Sequence, residues 1–189
     1  MTPASPLAPR AVLFDAYGTL FDVYSVAALA GTLFPGQGDA LAALWRDKQI
    51  DYTRLLTLSG RYLPFWDVTR NALRYACKRL GLSLDAAQEA QLMQAYRTLQ
   101  AFPEAKPLLE QLRGRDLRTG ILSNGDPPML DAAVRSAGLD GLIDPLLSVD
   151  AVGKFKTAPE AYALGPAALG LPAASILFVS SNCWDACCA

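Results

Sequence analysis

Short runs of apolar residues recur along the chain and predict buried strands. Three of them are strong, at residues 11–14, 119–122 and 175–179, and a weaker one lies at residues 145–149. A continuous apolar run that ends at polar or turn-forming residues is typical of a strand that is covered on both faces. Helical patterns separate the later runs, and this alternation predicts an α/β fold with a Rossmann-like, doubly wound parallel sheet.

Each strong run ends at a group of polar residues. Asp15 follows the first run, Ser123 and Asn124 follow the second, and Ser180 and Asn182 follow the third. The carboxyl ends of parallel strands lie at one edge of a sheet, and ligands bind at that edge in folds of this class. We therefore expect the three polar groups to converge on one site.

A long helical segment interrupts this pattern after the first strand. It runs from residue 23 to residue 100 and is far longer than a strand–helix loop of about 2–6 residues. We interpret residues 23–100 as a helical cap subdomain, inserted into a core that comprises residues 10–22 and 101–189. Apolar residues recur at helical spacing within the cap over residues 27–33, 40–58, 65–80 and 85–101.

The composition narrows the chemistry that the chain can perform. Its 189 residues include no histidine, which excludes Ser-His-Asp and Cys-His nucleophile pairs, histidine bases and zinc sites with histidine ligands. Carboxylates, lysine, hydroxyls or thiols must therefore carry any acid–base or nucleophilic step. With 17 Lys and Arg against 18 Asp and Glu, the chain lacks the basic surface that nucleic acids require, and we expect no nucleic-acid partner.

The cysteines and the terminal segment bear on the compartment. Cys77 is isolated, and Cys183, Cys187 and Cys188 have neither the spacing of a metal site nor that of a disulfide framework. No apolar run approaches the ~20 residues that span a bilayer, and residues 1–10 lack the pattern of a signal peptide. We expect a cytoplasmic protein with reduced thiols and no membrane association.

An ordered set of motifs resembles the haloacid dehalogenase superfamily. Segment 14–22 (FDAYGTLFD) is similar to its first motif, segment 121–125 (ILSNG) to its second, and Lys156 to the lysine of its third. Segment 180–185 (SSNCWD) resembles the fourth motif of one subfamily, the L-2-haloacid dehalogenases. The cap residues Trp45, Arg46 and Phe65 match that subfamily as well, and so does Tyr162.

Two motif positions separate this chain from the phosphatases of the superfamily. Tyr17 stands where those enzymes have a second aspartate, and Asp185 stands alone where they have paired acids. A magnesium site requires several oxygen ligands, and a lysine at Lys156 neutralises the nucleophile instead. We therefore expect no metal and no cofactor, and the alternatives are a magnesium-dependent phosphatase or a catalytically inactive remnant.

The resemblance implies that the protein hydrolyses short 2-haloalkanoic acids to 2-hydroxy acids with inversion at C2, as an (S)-2-haloacid dehalogenase. Asp15 would attack C2 and form an ester. Thr19, Ser180 and Asn182 would hold Asp15 by hydrogen bonds, and Lys156 would hold it by its charge. The family also implies a homodimer that assembles through cap helices.

The remaining roles concern the substrate and the second step. Arg46, Asn124 and Phe65 would receive the departing halide. Ser123 and backbone amides near Tyr17 would hold the substrate carboxylate, and Asp185 would activate the water that hydrolyses the ester. The alkyl group would lie against an apolar wall formed by Tyr17, Ile50, Phe65 and Trp184.

Taken singly, these residues have simpler interpretations. Asp15 is also a good turn cap, Lys156 is also compatible with a solvated surface lysine, and neighbouring Lys154 is an alternative partner for Asp15. Their joint occurrence in order and spacing favours the site. Members of the family continue beyond the position of Asp185, whereas this chain ends at Ala189, so we expect it to be part of a longer protein.

Overall fold

The computed structural model describes residues 8–189. Residues 1–7, which belong to the segment used above to predict the compartment, lie outside the described residues. Within residues 8–189 no helix is both long and apolar enough to cross a membrane. The strands are β1 (Ala11–Phe14), β2 (Arg118–Ser123), β3 (Leu146–Ser148) and β4 (Ile176–Val179). The α-helices are α1 (Ala27–Leu33), α2 (Gly38–Leu58), α3 (Phe65–Arg79), α4 (Ala86–Arg97), α5 (Ala105–Arg113), α6 (Pro127–Ser136), α7 (Pro159–Leu169) and α8 (Cys183–Ala186).

The four strands form one parallel sheet in the order β3-β2-β1-β4. Phe14, the last residue of β1, pairs with Ile121 of β2 and with Val179 of β4. This register brings Asp15 level with the residues that follow β4, and it leaves β2 two residues longer toward the same edge. The predicted convergence of polar groups at the carboxyl edge is therefore confirmed for the backbone.

Apolar side chains cover both faces of the sheet, as a doubly wound fold requires. Val12 and Phe14 face the larger core, which includes residues of α5 and α6, whereas Leu13 faces a smaller core with Leu169 of α7. Successive residues of a strand point to opposite faces, and this is why the runs are apolar without interruption. The predicted α/β class is confirmed.

Helices α1–α4 lie between β1 and β2 in sequence and pack mainly on one another. They also share the larger core with the sheet, through residues such as Trp45, Phe65 and Tyr96. At the crossing of α1 and α2 the backbones approach closely, because a Cβ on Gly38 would stand 2.5 Å from the carbonyl oxygen of Ala27. The boundaries of the cap at residues 23 and 100 stay a prediction.

The fourth cap helix is shorter than its apolar pattern indicated. Asp85 begins it with a capping box to Gln88, but α4 ends at Arg97, so the prediction that it continues to residue 101 is wrong. The chain becomes extended there because Asp22 N donates to the carbonyl oxygen of Gln100, at 2.8 Å, and Phe102 N donates to that of Leu20, at 2.9 Å. These bonds to the loop after β1 replace the last helical turns.

Candidate active site

The centre of the site is a lysine between two carboxylates. Lys156 Nζ lies 3.1 Å from Asp15 Oδ1 and 2.8 Å from Asp185 Oδ2. Asp15 comes directly after β1, Asp185 lies in α8, and Lys156 lies in the loop before α7. Lys156 is 1% exposed and Asp185 0%, so the alternative interpretation of Lys156 as a solvated surface lysine is wrong. Lys154 instead pairs with Glu160 at the surface.

Asp15 is held through its second oxygen as well. Oδ2 accepts hydrogen bonds from Asn182 Nδ2, at 2.9 Å, and from Thr19 Oγ1, at 3.3 Å. With Lys156 on Oδ1, these donors fix the plane of the carboxylate. Asp15 is 6% exposed and lines a cleft, which is the arrangement that an oriented, weakly solvated nucleophile requires.

Ser180 does not take part in this set of contacts. Its hydroxyl accepts a hydrogen bond from the backbone N–H of Asn182 at 3.2 Å, which shapes the loop that presents Asn182. The neighbouring Ser181, which the sequence reasoning missed, binds the loop after β1. Its N–H donates to Thr19 Oγ1 at 3.0 Å, and its hydroxyl donates to the carbonyl oxygen of Gly18. The donor role of Ser180 toward Asp15 stays a prediction.

Tyr162 holds the second carboxylate. Its hydroxyl donates to Asp185 Oδ1 at 2.7 Å, while Lys156 occupies Oδ2. Burial raises the pKa of Tyr162 above its ordinary value, and the hydrogen bond to Asp185 raises it further. The phenol therefore stays protonated and acts as a donor throughout the physiological pH range.

The loop after β2 supplies the opposite side of the site. Asn124 Oδ1 accepts the backbone N–H of Lys156 at 2.9 Å and so fixes the loop that carries the lysine. Ser123 is fully buried, and its hydroxyl accepts the N–H of Gly125 at 3.1 Å. Ser148 Oγ donates to the carbonyl oxygen of Gly125 at 2.7 Å. Backbone and side-chain hydrogen bonds thus hold the turn on both sides.

Arg46 reaches the site from α2. Its Nη2 donates to the carbonyl oxygen of Tyr17 at 2.8 Å, and the residue is 9% exposed. The neighbours of Arg46 fix α2 on α3, since Trp45 Nε1 donates to the carbonyl oxygen of Thr69 at 2.8 Å and Gln49 Nε2 donates to the hydroxyl of Thr69 at 2.9 Å. The guanidinium therefore stands at a fixed place against the loop after β1.

Cap and core together enclose a narrow cleft. The volume within it that the centre of a water molecule can reach is about 20 Å³, little more than a single water requires. Every residue that was predicted to contact substrate lies in its wall. Thr53, one helical turn beyond Ile50, also lines the cleft and was missed, although its spacing from Arg46 and Ile50 along α2 could have indicated it. The wall consists of Asp15, Tyr17, Arg46, Ile50, Thr53, Phe65, Ser123, Asn124 and Trp184.

The ring of Tyr17 forms an apolar part of the cleft wall beside Asp15. This ring stacks on Tyr96 and lies at 5.7 Å from that of Phe65. Burial raises the pKa of Tyr17 well above its ordinary value, and nearby Tyr96 raises it further. The hydroxyl is buried and has no hydrogen-bond partner among residues 8–189.

The comparisons with known proteins agree with this geometry. A family model described as haloacid dehalogenase-like hydrolase matches residues 9–186. The (S)-2-haloacid dehalogenase of Pseudomonas sp. (strain YL) is 48% identical over 177 residues, which cover 94% of this chain and 76% of that protein.

Solved structures extend the similarity to the backbone. The L-2-haloacid dehalogenase RSc1362 is 64% identical, with a TM-score of 0.92 over 94% of this chain and 80% of the other. The L-2-haloacid dehalogenase of Xanthobacter autotrophicus, solved with chloropropionic acid covalently bound, is 47% identical, with a TM-score of 0.89 over 94% of this chain and 71% of the other. The chain therefore belongs to the haloacid dehalogenase-like hydrolases, and within them to the (S)-2-haloacid dehalogenases.

Proposed function

We propose that the protein hydrolyses short 2-haloalkanoic acids to 2-hydroxy acids, with inversion at C2, through an ester of Asp15. The observation that carries the proposal is the buried carboxylate of Asp15, which Lys156, Asn182 and Thr19 hold in the wall of a cleft that Arg46 closes. The covalently bound chloropropionic acid in the Xanthobacter relative supports an ester intermediate. The small size of the cleft favours short substrates.

In the first step a carboxylate oxygen of Asp15 attacks C2 from the side opposite the halogen. The new O–C2 bond forms as the carbon–halogen bond breaks, and the halide leaves with the bonding electrons. Negative charge then moves from Asp15 to the halogen, toward Arg46 and Asn124. Arg46 stabilises charge that exists only in and after the transition state, so its contribution lowers the barrier rather than tightening substrate binding.

In the second step water attacks the ester carbonyl of Asp15. The bond between the carbonyl carbon and the oxygen on C2 breaks, the 2-hydroxy acid leaves, and Asp15 keeps an oxygen atom from water. We assign the removal of the water proton to Asp185, the other buried carboxylate, because the chain has no histidine. That proton passes to the leaving oxygen of the 2-hydroxy acid, and the second proton of the water is released to solvent when Asp15 becomes a carboxylate again. Tyr162 and Lys156 occupy one oxygen each of Asp185, so the base is positioned before water arrives.

The charges of the site favour a reaction without a metal. A divalent cation shared by Asp15 and Asp185 would have to replace the ammonium of Lys156, which already binds both. We propose that activity is independent of metal, so halide release should survive EDTA. A magnesium-dependent phosphatase would instead lose its activity on phosphate esters in EDTA and regain it with magnesium.

The decisive experiment is a single turnover of 2-chloropropionate in water enriched in oxygen-18. The label should appear in the peptide that contains Asp15, and Asp15→Asn should release no halide while it keeps its fold. Label in the 2-hydroxy acid alone would mean that water attacks C2 directly, which would refute the ester. Absence of any turnover by the native chain would favour the inactive alternative.

We further propose that the protein forms a homodimer through the cap. A group of exposed apolar side chains on α2, α3 and the turn between them supports this, because such residues are uncommon together on the surface of a monomer. We expect sedimentation to give a dimer and Leu58→Asp to give a monomer with unchanged sheet structure. The group comprises Leu55, Leu58, Leu63 and Tyr75, which are 59%, 84%, 42% and 40% exposed.

The cysteines support a reducing compartment for this reaction. All four are free in the structure, and Cys183, Cys187 and Cys188 are exposed. Exposed thiols persist where glutathione keeps them reduced, so we propose that the protein acts in the cytoplasm. Cell fractionation should recover the activity with cytoplasmic markers, and recovery with periplasmic markers would contradict the proposal.

A further inference from the structure

Asp126 links the core to the cap beside the cleft. It precedes α6 in the core, yet its carboxylate reaches the first residues of α3 in the cap. Oδ1 accepts the backbone N–H of Phe65 at 2.6 Å, and Oδ2 accepts that of Trp66 at 2.8 Å. Asp126 is 8% exposed; its bond to Phe65 is buried, and its bond to Trp66 is partly buried.

Helix α3 has no capping side chain of its own at its N-terminus. Pro64 precedes it and provides no side-chain cap, although the first N–H groups of a helix need acceptors from outside the helix. A carboxylate at this end is also favoured by the helix dipole. Burial raises the pKa of Asp126, whereas the hydrogen bonds from the N–H groups of Trp66 and Phe65 lower it. Both effects are expected for a buried carboxylate that accepts backbone hydrogen bonds.

The link joins two parts of the wall of the cleft, although Asp126 itself does not line it. Phe65 lines it from the cap, while Ser123 and Asn124, in the same turn as Asp126, line it from the core. We infer that Asp126 is a positioning residue, which holds Phe65 at a fixed distance from Ser123 and Asn124 and thereby sets the width of the cleft. The inference rests on the proposed function, because the cleft is taken as the haloacid site.

The test compares Asp126→Ala and Asp126→Asn with Asp67→Asn. Asp67 lies in the first turn of the same helix, pairs with Arg70 and is partly exposed, so its variant removes a carboxylate from that helix end without touching the link. Halide release from 2-chloropropionate gives KM and kcat. Amide hydrogen exchange, resolved by NMR, reports on the N–H groups of Phe65 and Trp66 independently of activity.

For Asp126→Ala, which loses both hydrogen bonds, we expect KM to rise at least tenfold, because one lost hydrogen bond alone corresponds to a factor of about ten. We expect kcat to change much less, because Phe65 carries no charge and Arg46, the charged partner proposed for the departing halide, is held by Tyr17 and not by Asp126. Exchange at Phe65 and Trp66 should accelerate by about the same factor, whereas amides of β1 should be unaffected. Asp126→Asn keeps one acceptor, so its KM and its exchange rates should lie between those of the wild type and of Asp126→Ala. If the alanine variant does not fold, the asparagine variant alone tests the inference.

Three results would overturn the inference. They are unchanged exchange at Phe65 and Trp66, faster exchange with an unchanged KM, and an equal rise of KM in Asp67→Asn. A wild-type protein that releases no halide would refute the proposed function by itself. In that case the exchange at the two amides still decides whether Asp126 fixes Phe65.

Discussion

A Lys156→Met variant isolates what the buried ammonium contributes, since methionine keeps most of the side chain's length and removes its charge. In the native protein Nζ lies 3.1 Å from Asp15 and 2.8 Å from Asp185. Each distance corresponds to an attraction of about 5–6 kcal/mol at an effective dielectric constant of 20, before the cost of dehydration. The variant leaves two buried carboxylates without a countercharge.

The net loss of stability is smaller than the sum of these attractions. Removing one partner from a buried ion pair costs about 3–5 kcal/mol, against a total stability of about 5–15 kcal/mol for a domain. At about 2–4 °C per kcal/mol for a chain of this size, the thermal midpoint should fall by roughly 6–20 °C.

The assay is thermal unfolding followed by tryptophan fluorescence at pH 8. Lys154→Met is the matched control, because Lys154 and its partner Glu160 are both half exposed, and we expect its unfolding midpoint to equal that of the wild type. Equal losses in the two variants would refute the buried charge arrangement.

Other perturbations test separate parts of the structure. Arg46→Lys keeps the charge but loses the planar fork, and kcat for halide release should fall about 10²–10³-fold, whereas an unchanged kcat would remove Arg46 from the mechanism. A thiol reagent at pH 8 should modify the three exposed cysteines of the native protein, and Cys77 only after unfolding. Burial raises the pKa of Cys77 from 9.0 to about 11, so the thiol ionises at a lower pH in the unfolded chain than in the folded one. The free energy of unfolding, measured in urea, should therefore fall as the pH rises from 9.0 to about 11, and it should fall less in Cys77→Ala. Gly38→Ala should cost about 1–3 kcal/mol in urea unfolding because its Cβ meets backbone of α1, whereas Gly31→Ala, with ordinary contacts, should not be destabilised.

The parts of the fold that follow from local pattern were predictable. An apolar run that ends at Asp15, or at Ser123 and Asn124, identifies both a buried strand and the edge where its polar residues lie. The register of β1 with its neighbours then brings those residues together without further information. The beginning of α4 was equally local, because Asp85 and Gln88 form its capping box.

The rest depended on contacts between segments distant in sequence. Residues 98–101 continue a helical pattern, but backbone bonds to the loop after β1 are available to them only in the folded protein. Ser180 and Ser181 are neighbours of the same chemical type, and the turn after β4 alone decides which of them meets Thr19. The link from Asp126 to α3 spans about 60 residues of the chain, and no hydrophobic periodicity in the sequence indicates it.

The movement of charge in the proposed reaction also explains why the site contains two cationic side chains, Lys156 and Arg46, at different positions. The formal charges of Asp15 and Asp185 balance those of Lys156 and Arg46. In the proposed reaction the negative charge of Asp15 passes to the halide, away from Lys156 and toward Arg46. Lys156 therefore stabilises the ionised nucleophile before the reaction and opposes its attack, whereas Arg46 favours the products of that attack. Because the two cations act in opposite senses on the first step, only a site that separates them can use both. Lys156 binds Asp15 without lining the cleft, whereas Arg46 belongs to its wall.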